Sequence, residues 1–164
     1  MNKFMHYIII KDYKNVNKII NKEIANKPTI YGDTPLMYAA NSFKITKLLI
    51  EYGADINART KNGFTALMCA IGKKNHKVIK YLIDHGAKVN IQTPSFQTPL
   101  TYAFTVGCDY IIIKLLLDNG ADINDRNQYG DTPLMLASSR SDINKMRMLV
   151  KYGADVNITN NDND

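Results

Sequence analysis

Apolar residues recur at helical spacing in two short stretches that follow one another. The first stretch holds Leu36, Ala39 and Ala40, which occupy positions i, i+3 and i+4. The second, residues 45–49, repeats this spacing with an isoleucine and two leucines. Residues spaced in this way share one face of an α-helix. The pattern therefore predicts two amphipathic helices, and the small alanines let a neighbouring helix approach the first one closely.

This pair of stretches returns along the chain at a fixed interval. A Gly-Ala pair ends each copy, and successive glycines from Gly53 onward lie 33, 34 and 33 residues apart. A period of this length marks a supersecondary unit that must stack on its neighbours to bury its apolar face. The repetition predicts an all-α solenoid of helix-turn-helix units. The inward residues predicted for the later second helices are Val78, Tyr81, Leu82, Ile112, Leu115 and Leu116.

The ends of the predicted helices carry recognisable signals. Thr34 precedes Pro35, and a threonine stands at the same place in each later copy, as Thr65, Thr98 and Thr132. A threonine oxygen accepts hydrogen bonds from the free amides at a helix start, and proline fits the first helical position. Each second helix ends at a glycine, which adopts the left-handed C-cap conformation without strain. Asn and Gly in the segments that follow predict tight turns.

These motifs together resemble the ankyrin repeat: Gly-x-Thr-Pro-Leu, two alanines, a leucine-rich second helix and Gly-Ala-Asp-Ile-Asn. Four units match from Gly32 to Asn157, and the set is specific because it repeats in register. The resemblance implies an ankyrin-repeat solenoid whose units are linked by loop/β-turn fingers. It also implies that the recurring asparagines hydrogen-bond loop backbone, which makes them architecture rather than a ligand site. These asparagines are Asn57, Asn90, Asn124 and Asn157.

Several positions depart from the family pattern. The family's histidine after Thr-Pro-Leu is replaced by Met37, Met68, Thr101 and Met135. We therefore expect its polar link to be absent and flexible thioether packing to take its place. The first matching unit is shorter, which predicts a tighter turn over 41–44, and the third has an extra residue near 106–109. Phe96 stands where the sibling fingers have glycine, so we expect a different turn there.

The repeats predict one domain over residues 1–157. Its matching repeats are 32–62, 63–95, 96–129 and 130–157. Residues 1–31 are predicted to form a degenerate N-terminal capping repeat, because Asn26 lies 23 positions after Lys3, as Asn57 does after Thr34. Residues 158–164 are nearly all Asn, Asp and Thr, which predicts a disordered tail. The start of a further, incomplete repeat is the alternative.

No residue pattern points to catalysis. The three histidines lack partners at metal-ligand spacing, the glycines are not clustered at a helix start, and the carboxylates recur at loop positions. We therefore expect no enzyme, no metal and no cofactor. Cys69 and Cys108 show no disulfide or metal spacing, which favours the cytoplasm, with a secreted effector as the alternative. No apolar run approaches the roughly 20 residues that span a membrane.

We expect a binding surface at positions where the residue differs from one repeat to the next, because those residues are not needed for stacking. Two sets qualify, the loop tips and the first-helix position after the missing histidine. In proteins similar to this family, these positions line a concave groove for protein partners. Tyrosine combines an apolar face with a polar tip and is enriched at such interfaces. The candidate partner-binding residues are Tyr7, Tyr31, Tyr38, Lys61, Asn62, Phe64, Gln97, Tyr102, Gln128 and Tyr129.

The leading hypothesis is a non-catalytic, monomeric module that binds an unidentified protein partner through this groove. The alternative comes from a net charge of +6. A lysine-rich outer ridge, formed by Lys73, Lys74, Lys77 and Lys80 with Lys44 and Lys47 of the unit before, could bind nucleic acid or another polyanion. We rank nucleic acid lower, since lysine-rich solvated faces are common and the family mostly uses its other face.

Overall fold

A computed structural model of the chain describes residues 3–163. Within that range it contains eleven α-helices and one 3₁₀ helix and no strand, so the predicted all-α class is confirmed. None of these helices has the length and hydropathy that a membrane crossing requires. The contacts divide the chain into two compact units, residues 1–88 and 89–164. Met1 and Asn2 of the predicted first repeat and Asp164 of the predicted tail lie outside the described residues.

The first unit (residues 1–88) consists of consecutive helix pairs. A short extra helix follows the first pair, and a 3₁₀ turn extends the first helix of the second pair. The helices are α1 (Lys3–Ile9), α2 (Tyr13–Ile19), α3 (Lys22–Asn26), α4 (Pro35–Tyr38), the 3₁₀ helix (Ala39–Asn41), α5 (Phe43–Glu51), α6 (Ala66–Gly72) and α7 (His76–Asp84). The tighter turn predicted at 41–44 is confirmed, since α4 has four residues and a single residue separates the 3₁₀ helix from α5.

The second unit (residues 89–164) contains two further helix pairs. They are α8 (Pro99–Thr105) with α9 (Tyr110–Asp118), and α10 (Pro133–Ser138) with α11 (Ile143–Lys151). The extra residue predicted near 106–109 is present, because four residues separate α8 from α9 whereas three separate α6 from α7. Gly107 takes a φ of +66° in this longer turn. The insertion is thus absorbed between the helices, and neither helix is interrupted.

The cores of the two units form largely as the apolar pattern predicts. Leu36, Ala39 and Ala40 are buried, as are the three apolar residues of 45–49. The prediction is wrong for Tyr81 and Leu115, which are only half-buried. On α5, α7 and α9, the residue that follows the first predicted apolar position is also buried, and it is Thr46, Ile79 and Ile113, respectively. The buried arc of these helices is therefore rotated slightly from the one expected, which leaves the Tyr81 ring at the surface.

Threonine capping occurs at three of the four predicted helix starts. The backbone N–H of Met68, Thr101 and Met135 donates to the hydroxyl of Thr65, Thr98 and Thr132, respectively, at 3.3–3.4 Å. The expectation is wrong at Thr34, whose buried Oγ1 has no hydrogen-bond partner within the described residues. There the N–H of Met37 donates to the Thr34 carbonyl instead, at 3.1 Å. This tightened i to i+3 bond belongs to the short α4.

Three of the residues at the family's histidine position accept a hydrogen bond within their own repeats. The Sδ atom of Met37 accepts the backbone N–H of Thr34 at 3.3 Å, and Met135 does the same for Thr132 at 3.4 Å. In the third matching repeat, the hydroxyl of Thr101 accepts the equivalent N–H at 2.8 Å. A thioether is a weak acceptor but an acceptor nonetheless. These bonds lie within one repeat, so the absence of a polar link between adjacent repeats at this position stays a prediction.

Each finger is a five-residue loop that closes on itself. In finger 60–64, the N–H of Thr60 donates to the carbonyl of Phe64 and the N–H of Gly63 to the carbonyl of Thr60, both at 2.9 Å. Fingers 29–33, 93–97 and 127–131 have the same two bonds at 2.9–3.0 Å. The first residue of each loop, a threonine or asparagine, also accepts a backbone N–H through its side chain. The sequence analysis did not single out this position.

The different turn expected at Phe96 is not formed. The N–H of Phe96 donates to the Thr93 carbonyl at 2.9 Å, as glycine does in the sibling fingers. Its φ is +58°, against +77° for Gly63 and +81° for Gly130. The hydrogen-bonded loop thus imposes a left-handed conformation on a residue with a bulky side chain, which such residues rarely adopt. That side chain is 55% exposed.

Three of the four recurring asparagines hydrogen-bond the backbone of the repeat that follows. The side chain of the fourth, Asn157, donates to Asp155 of its own repeat at 3.2 Å. In the first unit, Asn57 donates through Nδ2 to the Gly86 carbonyl at 3.0 Å and accepts the Lys88 N–H at 2.9 Å. Asn90 makes the same pair of bonds to Gly120 and Asp122 in the second unit. Asn124 accepts the N–H of Asp155 at 3.0 Å. These contacts are the backbone role that the resemblance implied.

The two ends of the chain share parts of this pattern. Asn26 donates to the Gly53 carbonyl at 2.9 Å and accepts the Asp55 N–H at 2.7 Å, like the asparagines of the later repeats. Near the other end, the N–H of Asn163 donates to the Asn160 carbonyl at 3.2 Å, and the φ of Asn163 is +65°. Residues 160–163 therefore repeat the turn of a finger. The disorder expected of the tail stays a prediction.

We expect Asn57→Ala to lower the free energy of unfolding by about 1–2 kcal/mol, because it removes two hydrogen bonds between repeats. Urea unfolding followed by circular dichroism measures the change. Asn62→Ala at an exposed finger tip is the control, with an expected effect within about 0.5 kcal/mol. Equal losses in the two variants would contradict a stabilising role for the asparagine link.

We expect Phe96→Gly to stabilise the protein by about 0.5–1 kcal/mol. Relief of the left-handed strain exceeds the entropy that glycine adds to the unfolded chain. The matched variant Ser95→Gly has no left-handed strain to relieve and should destabilise. Thermal unfolding of both variants distinguishes the two effects, and a lower melting temperature for Phe96→Gly would disprove the strain.

Candidate functional site

In the first unit, finger 29–33 and helix α4 border a single recess of about 440 Å³. Tyr31 comes from the finger and Tyr38 from the helix, and Ile30 and Met5 also line the recess. The first three are exposed, with 78% of Ile30 and 65% of Tyr31 accessible, whereas Met5 is buried. The finger can present these side chains because its hydrogen-bonded loop fixes its backbone. The recess is thus aromatic and aliphatic in character.

Asp33 gives this recess a polar edge. The hydroxyl of Tyr38 donates to Oδ2 of Asp33 at 3.4 Å, and Thr29 donates to the same oxygen at 3.3 Å. Burial raises the pKa of Tyr38, and the negative charge of Asp33 raises it further. The tyrosine therefore stays a neutral hydrogen-bonding group at physiological pH. A ligand at this edge would meet a carboxylate and a phenol beside an apolar wall.

The other predicted residues of the first unit lie apart from this recess. Tyr7 is half-exposed on α1, with the ammonium of Lys3 at 5.9 Å from its ring centroid. Lys61 and Asn62 are exposed at the tip of the next finger, and the N–H of Lys61 donates to the Tyr31 carbonyl at 3.1 Å. Phe64 is half-buried at the base of that finger. The backbone link between the two fingers places Lys61 next to Tyr31.

In the second unit, a polar recess of about 350 Å³ brings together three of the predicted residues: Gln97, Gln128 and Tyr129. Its remaining polar lining includes Ser95, Asp131 and Arg140. Tyr129 is 61% exposed, and Gln97 is half-buried. Tyr102, the fourth residue predicted in this unit, is half-buried on α8 and is not among the lining residues. This recess offers amides, hydroxyls and charges where the first offers apolar surface.

Arg140 is a lining residue of this recess that the sequence analysis did not predict. Its guanidinium donates to the carbonyl of Phe104 and, at 2.8 Å, to that of Thr105, which are the last two residues of α8. These carbonyls lie at a helix end, where they lack intrahelical partners. Only comparison of the inter-helix turns could have indicated the residue, because the repeat motifs do not include this position. Arg140 thus ties α8 to the turn after α10 at the edge of the recess.

The thiol of Cys69 occupies the position of Tyr38 on the next first helix, α6. Its pKa is raised to about 11, chiefly by burial and also by the negative charge of Asp33, while Lys73 opposes the shift. Both cysteines of the chain are free thiols. Within residues 3–163, no three His, Cys, Asp or Glu side chains are grouped as a metal site would require. The raised pKa keeps the Cys69 thiol in its protonated form at neutral pH.

Fold and surface together define a helical repeat protein whose finger loops and first helices border its recesses. A family model described as ankyrin repeats in three copies matches residues 4–93 and 91–160. The chain belongs to the ankyrin-repeat family, and the all-α repeat fold implied by the resemblance is confirmed. Members of this family are generally non-enzymatic and typically mediate protein–protein interactions.

A curated ankyrin repeat protein of Rickettsia bellii (strain RML369-C) is similar to part of the chain. The two are 41% identical over 61 residues, which is 35% of this chain and 36% of the relative. The match thus spans about a third of the length of that relative. It supports the family and says nothing about a shared partner.

We expect Cys69 to react slowly with iodoacetamide. A thiol with a pKa of about 11 holds roughly 100-fold less thiolate at pH 7.5 than an ordinary cysteine does, and the thiolate is the nucleophile. The rate is measured by mass spectrometry in a Cys108→Ser background. The same protein unfolded in urea provides the reference rate, and a folded protein that matched it would show that Cys69 is not protected.

Proposed function

We propose that the chain is a non-catalytic ankyrin-repeat protein that binds a protein partner through its fingers and first helices. The supporting observation is the recess in the first unit, which a finger and a first helix border together. Tyr31 and Tyr38 come from the two different residue sets that the sequence analysis selected, and both line it. A surface shared by a variable loop and a rigid helix is suited to specific recognition.

The chemistry of the first recess fits an interface anchor. Exposed tyrosines combine apolar area with a hydrogen-bonding tip and lose little entropy on binding. Ile30 beside them is 78% exposed, so a partner that covered it would gain the free energy of removing its apolar surface from water. An apolar side chain of the partner would fill this recess, and the carboxylate of Asp33 would favour a cationic group beside it.

The recess of the second unit fits a different part of a protein partner. The side-chain amides of Gln97 and Gln128 each offer both a donor and an acceptor, as does a peptide group. Tyr129 adds an aromatic face, and Arg140 and Asp131 add opposite charges. These groups suit the backbone and polar side chains of a folded or extended segment. Binding of a protein partner is proposed separately for each recess, from the residues of its own unit.

The proposal includes the absence of catalysis and a cytoplasmic, monomeric protein. The recesses contain no nucleophile with an adjacent base among their lining residues. Both cysteines are free thiols, which suits a reducing compartment. The chemical character proposed for the partner is inferred only from the exposed side chains of the two recesses.

The test is affinity capture from a lysate of the source organism at physiological salt, with quantitative mass spectrometry. Two double variants remove one recess each: Tyr31→Ala with Tyr38→Ala, and Gln128→Ala with Tyr129→Ala. We expect each to reduce capture of a specific protein at least about tenfold, since anchor residues typically contribute 2 kcal/mol or more. Circular dichroism confirms that every variant is folded.

The matched control is Tyr52→Ala with Tyr110→Ala. These tyrosines are 39% and 46% exposed, and neither lies on a finger or a first helix. The control therefore removes two aromatic rings outside both recesses. If it lost the same partner to the same extent as the recess variants, the finger surface would not be the binding site. Retention of every partner by both recess variants would contradict the proposal as well.

A further inference from the structure

Basic residues are concentrated in the first unit. Residues 1–88 contain 15 of the 21 Lys and Arg residues but six of the 15 Asp and Glu residues, a formal charge of +9. Residues 89–164 contain the other six basic and nine acidic residues, a formal charge of −3. A charge difference of this size between two halves of a chain is typical of proteins that bind a polyanion with one part. The net charge of +6 for the whole chain does not reveal this difference between the units.

Many of these charges lie on the second helices of the first unit. Six exposed lysines belong to α5, to α7 and to the turn before α7: Lys44, Lys47, Lys73, Lys74, Lys77 and Lys80. Two of them face acids on their own helices, Lys47 with Glu51 at 3.7 Å and Lys80 with Asp84 at 3.0 Å. Exposed pairs of this kind are weak and exchange readily with other ions. The ridge is therefore strongly positive.

An aromatic recess lies within this ridge. It measures about 380 Å³ and is lined by Phe43, His76, Lys77, Lys80, Tyr81 and Asp84. The ring of Phe43 meets that of Tyr81 edge to face, with centroids 5.3 Å apart and planes at 83°. The His85 ring also contacts that of Tyr81, with centroids 3.9 Å apart and planes at 31°. The rings of Phe43 and Tyr81 thus form an aromatic wall of this recess.

We propose that this recess binds a base of single-stranded nucleic acid, while the surrounding lysines contact the flanking phosphates. Aromatic side chains within a positive groove are the usual means of binding single strands, because every base has a π-face that can stack. The carboxylate of Asp84 at the rim can accept a hydrogen bond from a base N–H group, such as the ring N3–H of thymine. A lipid headgroup or an intact duplex offers phosphates but no unstacked ring to fill the recess.

The predominance of lysine indicates how phosphates would be recognised. Of the 15 basic residues in the first unit, Arg59 is the one arginine. Lysine acts as a flexible point charge, whereas arginine imposes a planar, bidentate geometry. Contacts of this kind favour binding that depends on charge and stacking and little on base sequence. The site lies on α5 and α7, so it can be tested separately from the recess beside Tyr31 and Tyr38.

The test measures binding of the full chain to a fluorescein-labelled oligo(dT) of about 20 nucleotides by fluorescence anisotropy. We expect binding at about 50 mM salt that weakens steeply by 200 mM, because phosphate contacts release counterions. Tyr81→Leu and Phe43→Leu should each weaken it about tenfold or more, since they remove a stacking ring without changing the charge. Phe43 is 38% exposed, so its variant tests the recess even if Tyr81→Leu does not fold.

Matched controls distinguish loss of the recess from the general effect of losing an aromatic ring or positive charge. Tyr110→Leu removes an exposed ring from α9, outside the basic unit, and should leave the affinity unchanged. Lys73→Gln with Lys77→Gln should weaken binding at least tenfold. Lys114→Gln with Lys151→Gln removes the same charge from the second unit and should have a much smaller effect. Polyphosphate and vesicles containing phosphatidylserine supply anionic competitors without bases.

Three results would overturn the proposal. One is the absence of oligo(dT) binding at about 50 mM salt. Another is an equal affinity for oligo(dT) in Tyr81→Leu, Phe43→Leu and Tyr110→Leu, which would mean that charge alone attracts the oligonucleotide. The third is polyphosphate or vesicles displacing the oligonucleotide as well as unlabelled oligo(dT) does at equal phosphate concentration, since the aromatic wall would then add nothing.

Discussion

The asparagine side chain between consecutive repeats is the contact on which the arrangement within each unit depends. One carboxamide both donates to a carbonyl and accepts an N–H in the next repeat, as Asn57 does with Gly86 and Lys88. The glycine is essential to this geometry, because its φ of +93° turns the chain just after the second helix and leaves the carbonyl free to accept. Both partners of Asn57 belong to the next repeat, whereas the side chain of Asn157 donates to Asp155 of its own repeat at 3.2 Å. Stacking therefore satisfies polar groups as well as burying apolar ones.

The conformation of the fingers also depends on satisfying backbone hydrogen-bonding groups. Each closes through two main-chain bonds of 2.9–3.0 Å, and a threonine or asparagine side chain secures its first residue. Because this frame is constant, variation among the fingers is confined to side chains. Phe96 shows how strong the frame is, since it takes the left-handed conformation that glycine takes in its siblings. Strain of this kind at an exposed position commonly accompanies a functional surface.

The two units use this common frame to present different chemistry. The recess beside Tyr31 is apolar, and the recess beside Tyr129 is lined with amides, hydroxyls and charged groups. The outer helices of the first unit add an aromatic recess surrounded by lysines. Membership of the ankyrin-repeat family accounts for the frame but not for these surfaces, since one scaffold can carry many binding functions. Function therefore has to be argued from the side chains that stacking does not use.

The sequence by itself determined the all-α repeat class, the helix starts and ends, and most of the core, because a period of about 33 residues and the i, i+3, i+4 spacing are local properties of the chain. Tyr31 and Tyr38 could be chosen as surface residues because their copies differ. Their shared recess, the half-buried Tyr81, the Met37 sulfur as an acceptor and the strained turn at Phe96 were decided only by the tertiary structure. The recess and the burial of Tyr81 depend on which neighbours reach a side chain once the repeats are stacked, and spacing along the chain does not encode that contact. The contacts of Met37 and Phe96 are local, but they depend on side-chain and loop geometry that residue type alone does not specify.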